Sequence, residues 1–110
     1  MEGRLLGGCL DVLVFLHGTP YDHTLEFIEK YKEDGIIWYL ETFDMSGEML
    51  MMFLWQLKEC GWFKHTKGIM FGRPLFYKDY THTPYEEAAL YALGDLGVPV
   101  LFDCDFGHKA

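Results

Sequence analysis

Gly35-Ile36-Ile37-Trp38-Tyr39-Leu40-Glu41 is an apolar run opened by Asp34-Gly35 and closed by a single carboxylate with polar residues after it. Its shortness, its β-branched and aromatic content and the turn chemistry at both ends predict a buried strand over Ile36 to Leu40. Two later runs have the same character: Gly68-Ile69-Met70-Phe71-Gly72, bracketed by glycine, and Pro99-Val100-Leu101-Phe102. Between the strands the apolar spacing changes. From Ser46 it becomes helical, with Ser46 as N-cap, Glu48 in the first turn, and Leu50, Phe53, Leu54 and Leu57 at i, i+3, i+4 and i+7. Gly61 supplies the stop. Thr83-Pro84 opens another helix, with proline at the first helical position and Glu86-Glu87 near the positive end of the dipole, running through Ala88 and Leu93 to Gly94 or Gly97. Thr24 to Lys32 reads as an amphipathic helix with Leu25, Phe27 and Ile28 facing inward. Strands that alternate with helices predict an α/β fold whose sheet is at least partly parallel.

The N-terminal stretch is less decided. Gly3 to Cys9 begins as an extended segment, in which the Gly7-Gly8 pair allows either a tight turn or a close backbone approach. Leu10 to Leu16 is too short for periodicity to separate a buried strand from a buried helix; helix is the preferred reading. Gly18-Thr19-Pro20-Tyr21-Asp22 is turn chemistry.

The chain has 110 residues, enough for one domain or part of one. Half of the residues are hydrophobic, 17% are aromatic and mean hydropathy is close to zero, so some apolar surface is expected to lie against a partner domain. The net charge of -8, with scattered basic residues, argues against nucleic acid as a partner, because phosphate binding needs clustered Lys and Arg. Cys9, Cys60 and Cys104 form no CxxC pair, which leaves reduced thiols and a cytoplasmic setting as the simplest reading. No apolar stretch reaches the roughly 18 to 20 residues of a membrane span, and the N-terminus has no signal-peptide pattern. Met1 and Ala110 read as the ends of an excised piece.

Two strand ends carry the candidate chemistry. His108 follows Gly107 on a turn just past the last strand, and Glu41 closes the first one. Together they have the residue types of a general base and the carboxylate that orients it. Taken singly, each has an ordinary explanation, a surface histidine near a terminus and a strand-end carboxylate capping a turn. A nucleophile is harder to find. The sole serine, Ser46, lacks the Gly-x-Ser-x-Gly elbow and suits a helix cap. Cys104 lies between Asp103 and Asp105, whose charges disfavour a thiolate, and Cys9 has the apolar neighbours of a buried thiol. Asp103, Asp105 and His108, or His17, Asp22 and His23, could be imagined as metal ligands, but neither set has zinc-type spacing; no metal and no cofactor are expected. Arg73, after Gly72, could meet a substrate carboxylate, although a surface or interdomain salt bridge is the preferred reading. Trp38, Trp55 and Trp62 suit a core or an interface.

Read in order, Gly7-Gly8-Cys9-Leu10, Gly18-Thr19-Pro20-Tyr21, Tyr39-Leu40-Glu41, Leu54-Trp55-Gln56-Leu57, Gly68-Ile69-Met70-Phe71-Gly72-Arg73 and Pro99-Val100-Leu101-Phe102-Asp103-Cys104-Asp105-Phe106-Gly107-His108 resemble the C-terminal domain of the LD-carboxypeptidase family of serine peptidases. The likeness runs from Gly3 to His108 and is nearest to the branch that holds the microcin C immunity peptidases. It implies a swivelling β/β/α layered domain over residues 1–110, lacking the N-terminal nucleophile domain. It also implies a Ser-His-Glu triad in which Glu41 and His108 serve a serine carried by that other domain. The family's enzymes are usually cytoplasmic homodimers that cleave an L,D-amide in murein peptides; the microcin branch cleaves an amide joining an aspartyl residue to a modified nucleotide. The implied partners are therefore the chain's own nucleophile domain, a second copy of the full-length protein, and a small peptide or peptide-nucleotide substrate. This chain departs from the pattern in having Cys9 where asparagine is frequent. A non-catalytic interaction module of the same fold is the alternative.

Overall fold

A computed structural model describes residues 2–109, and the reading of Met1 and Ala110 as cut ends lies outside them. The elements are β1 (Arg4–Cys9), α1 (Leu10–Leu16), α2 (Thr24–Lys30), β2 (Ile36–Glu41), α3 (Gly47–Glu59), β3 (Thr66–Gly72), α4 (Tyr85–Leu93), a single 3-10 turn (Gly94–Leu96) and β4 (Val100–Cys104). All the strands are parallel and lie in sequence order, β1-β2-β3-β4. That order has a consequence for the helices. Each crossover steps the same way along the sheet, and because such crossovers are right-handed, every connecting helix is delivered to the same face.

Burial follows this geometry. Ile36, Trp38 and Leu40 of β2 and Ile69 and Phe71 of β3 form one core with Leu10, Ile28, Leu50, Leu54, Leu57, Ala88, Ala89, Ala92 and Leu93 from the helices. On the other face Leu5 is 61% exposed and Leu101 48%, although parallel sheets are ordinarily covered on both sides. The α layer and one β layer of the expected stack are thus in place. Outside this sheet, the described residues add an isolated bridge between Asp44 and Phe76.

Local chemistry explains most boundaries. Ser46 caps α3 as expected, its Oγ accepting from the Met49 amide at 3.1 Å. Replacing Ser46 with alanine strands that amide and is expected to cost about 1 kcal/mol in urea unfolding, whereas Ser46→Asp, which can still accept the bond, should cost much less. Pro84 differs from expectation. It sits at the N-cap of α4 and the helix starts at Tyr85. In α2, Ile28 is buried and Phe27 half-buried, but Leu25 is exposed, because at 3.6 residues per turn it lies about 110° round the helix from the centre of the face that Phe27 and Ile28 turn to the core. The Gly7-Gly8 pair makes no turn: β1 runs straight through it to Cys9. Gly7 is instead a point of close approach, since a Cβ there would overlap the Tyr39 carbonyl on the neighbouring strand.

Among the described residues, no helix is long and apolar enough to cross a membrane. Trp38 and Trp62 stack in the core with ring centroids 5.7 Å apart, while Trp55 is exposed.

Candidate active site

The parallel register gathers the carboxyl ends of the strands along one edge, the usual place for ligands in open α/β sheets. Cys9 pairs with Glu41, and Gly72 pairs with Cys104. At the last strand the ladder slips. Met70 pairs with Leu101 but Gly72 with Cys104, so Phe102 and Asp103 together oppose Phe71, and Asp103 takes a left-handed φ of 58°. A bulge of this kind bends the strand that carries the extra residue and re-aims the segment beyond it. Here that segment is a tight turn, closed by the Phe106 amide donating to the Cys104 carbonyl at 3.0 Å, and it leads into Gly107 and His108.

This turn carries His108 back across β3 to β2. The His108 imidazole Nδ1 lies 2.8 Å from Glu41 Oε1, and the His108 amide donates to Glu41 Oε2 at 3.4 Å. The two residues are 67 positions apart. The Glu41 side chain is 9% exposed and the His108 side chain 48%, so a nearly buried acceptor holds a half-exposed imidazole. Among the described residues, no hydrogen bond engages its Nε2. A carboxylate at Nδ1 accepts a hydrogen bond from Nδ1–H, which keeps the proton on that nitrogen and leaves the lone pair on Nε2.

Gly107 makes the approach possible. Its φ of 105° is closed to ordinary L residues, and a Cβ there would sit 3.1 Å from Glu41 Cβ, Cγ and Oε2. Gly107→Ala is therefore expected to push His108 off Glu41 and to cost roughly 1–3 kcal/mol of backbone strain. Proton NMR checks this: a downfield imidazole N–H resonance of the wild type should vanish in Gly107→Ala, and an unchanged resonance would refute it.

The pair is braced by residues that carried no signal in the sequence. The ring of Phe43 packs on His108 at 4.9 Å. Phe43 is held in turn by Asp11, at the start of α1, whose Oδ1 accepts from the Phe43 amide at 2.8 Å and whose Oδ2 accepts from the Asp44 amide at 3.0 Å. Thr42, fully buried next to Glu41, donates to the Tyr85 hydroxyl at 3.3 Å, and burial pushes the Tyr85 phenol up to about 12. The loop that follows Glu41 is thereby tied to α1 through Asp11 and to α4 through Tyr85. Asp11 was hidden in the sequence because it interrupts an otherwise apolar run; only the β1–α1 junction shows which backbone it faces.

Arg73 and the acidic cluster behave otherwise. Arg73 donates from Nη1 to Asp105 at 3.1 Å, so Asp105 is engaged with arginine. The group of ligand-type side chains that does converge is Cys9, Glu41 and His108, with ligand atoms all within 4.8 Å of one another. Asp103, Asp105 and His108 do not form such a group among the described residues, nor do His17, Asp22 and His23. The Cys9 thiol is pushed up to about 11, first by burial and then by the nearby charges of Glu41 and Asp11, which makes it a poor nucleophile at neutral pH.

Comparison with known proteins identifies the fold and the family of the chain. No curated protein sequence matches the chain. Among solved structures, the microcin C7 self-immunity protein MccF superposes with a TM-score of 0.78 at 22% identity, over 98% of this chain and 31% of that one. The muramoyltetrapeptide carboxypeptidase from Oxalobacter formigenes gives 0.75 at 26% identity, over 98% and 35%. An MccF-like protein from Streptococcus pneumoniae gives 0.64 at 28%, over 98% and 34%. The chain thus spans about a third of the length of these structures. The model of the LD-carboxypeptidase C-terminal domain matches residues 2–110, and the chain belongs to that family of serine carboxypeptidase-like hydrolases.

Proposed function

We propose that this domain supplies the acid–base half of a serine hydrolase site: His108 takes the proton from a serine hydroxyl on a separate nucleophile domain, and Glu41 orients the imidazole. The observation that carries the reading is the 2.8 Å contact between Nδ1 of a half-exposed His108 and a nearly buried Glu41. The serine oxygen attacks the amide carbonyl as its proton passes to Nε2. The leaving amine then collects that proton from the imidazolium, and water repeats the exchange on the acyl ester. Glu41 stabilises the imidazolium in both halves of the cycle and keeps the Nδ1–H tautomer between them. The oxyanion donors are assigned to the nucleophile domain.

The substrate class proposed is an L,D-peptide amide of the murein tetrapeptide type, or a related amide joining an aminoacyl group to a nucleotide. Support comes from the relatives: one is named a muramoyltetrapeptide carboxypeptidase, and MccF has been solved with aspartyl sulfamoyl adenosine. The nucleophile domain is the proposed partner, and the full-length protein is proposed to be a cytoplasmic homodimer.

A domain exchange tests this. Residues 2–109 replace the corresponding domain of the Oxalobacter carboxypeptidase, and release of the terminal D-amino acid from an L,D-tetrapeptide is followed beside hydrolysis of aspartyl sulfamoyl adenosine. Turnover of either by the hybrid, and of neither by the isolated chain, is the expected result. A folded hybrid inert toward both, or hydrolysis by the isolated chain, would refute the proposal.

A further inference from the structure

Cys9 sits beside the Glu41–His108 pair and has no part in the chemistry proposed above. It ends β1 directly opposite Glu41 in the register, and its thiol donates to Asp11 Oδ1 at 3.5 Å. Sulfur, imidazole nitrogen and carboxylate oxygen thus converge from β1, from the turn after β4 and from β2, with no two ligand atoms more than 4.8 Å apart. From this geometry we infer that Cys9, Glu41 and His108 form a binding site for a thiophilic divalent cation such as Zn2+. The inference rests on the convergence of three side chains and not on the acid–base roles proposed for two of them.

The donor set suits that ion. Zinc takes sulfur at about 2.3 Å and nitrogen or oxygen at about 2.0–2.2 Å in a tetrahedral arrangement, which places ligand atoms about 3.5 Å from one another. Side-chain movements of about an ångström at partly exposed Cys9 and His108 close the difference. Three protein ligands leave a fourth position for water. On binding, the Cys9 thiol gives its proton to solvent and the sulfur lone pair forms the bond to the metal, while the imidazole proton of His108 passes through solvent from Nδ1 to Nε2 so that the Nδ1 lone pair can ligate, with no change of oxidation state. The charges of Glu41 and Asp11 that disfavour a bare thiolate are the ones that attract a cation, and the metal neutralises the sulfur that they would otherwise repel. Asp11 stays in place throughout because two backbone amides hold its carboxylate.

Occupancy has a functional corollary. An imidazole and a carboxylate engaged by metal are withdrawn from proton transfer, so the cation would inhibit an enzyme built around this domain.

The test uses the isolated chain and the metal alone. Calorimetric titration of the reduced chain with Zn2+, and titration with Co2+ followed through its thiolate charge-transfer absorption, should give one site per chain. Cys9→Ser should weaken binding by about 100-fold or more and abolish the charge-transfer band, since even the loss of an outer-shell partner costs about 10–100-fold. His108→Ala should weaken it comparably. Cys60→Ser serves as the control, because Cys60 Sγ lies 2.8 Å from His17 Nε2 and is the competing thiol–imidazole site. Absence of binding, binding unaffected by Cys9→Ser, or binding lost with Cys60→Ser would each overturn the inference. None of these outcomes bears on proton transfer to a serine, which the domain exchange tests separately.

Discussion

His108→Ala in the hybrid enzyme is expected to lower kcat/KM for the L,D-tetrapeptide by about 10⁴-fold or more, with the fold intact. Removing the base of a serine triad leaves binding and oxyanion stabilisation but no acceptor for the hydroxyl proton. Glu41→Gln is the sharper variant. It keeps shape and burial, yet an amide can present its NH2 to Nδ1 and so favour the wrong tautomer, with an expected loss of about 10³–10⁴-fold in kcat and a much smaller change in KM. Because the two groups act as one unit, the double variant should be scarcely worse than His108→Ala alone. Additive losses would show that Glu41 and His108 work independently and would count against a shared triad. Circular dichroism separates loss of chemistry from loss of fold. His108 is half-exposed and should be tolerated, while the nearly buried Glu41 is replaced by a side chain of the same size.

Trp38→Ala should produce the largest loss of stability, about 3–5 kcal/mol. Trp38 is 1% exposed, stacks on Trp62 at 5.7 Å and meets the edge of Phe63 at 5.4 Å, at the centre of the strand that carries Glu41. A domain of this size has only about 5–15 kcal/mol to lose, and each kcal/mol lowers Tm by about 4–8 °C. Trp38→Phe should cost far less, about 1 kcal/mol. The ring volume largely remains, and no hydrogen bond is broken because the buried indole Nε1 of Trp38 has no partner among the described residues. Equal losses in the two variants, measured by urea unfolding, would refute a packing origin.

The elements that could be read from the chain were those with strong local chemistry. Ser46 and the Leu50–Leu57 spacing marked α3 because cap and period agree along the helix. Ile36 to Leu40 marked β2 because an apolar run of that length between turn residues has few alternatives. Pro84 was misplaced by one position because proline fits both the N-cap and the first helical turn, and only the backbone angles at that junction separate them. The Gly7-Gly8 pair kept two readings until the neighbouring strand was in place. Its role is set by the Tyr39 carbonyl, a contact between distant parts of the chain.

The candidate site divides in the same way. Glu41 and His108 stood out as strand-end residues, and their motif match named them together. Residue order alone established an alternating α/β chain, acidic overall, with a carboxylate and an imidazole at two strand ends and no serine elbow. Tertiary structure alone decided the strand order and register that line up the carboxyl ends on one edge, that a bulge at Asp103 turns the last segment toward β2, that Asp11 braces the loop under His108, and that Cys9 joins the cluster. The physical reason is range. Propensity, capping and periodicity act within a few residues and are written in the local sequence, whereas register, the direction in which a bulged strand is aimed and the meeting of side chains 67 residues apart depend on the packing of the whole domain.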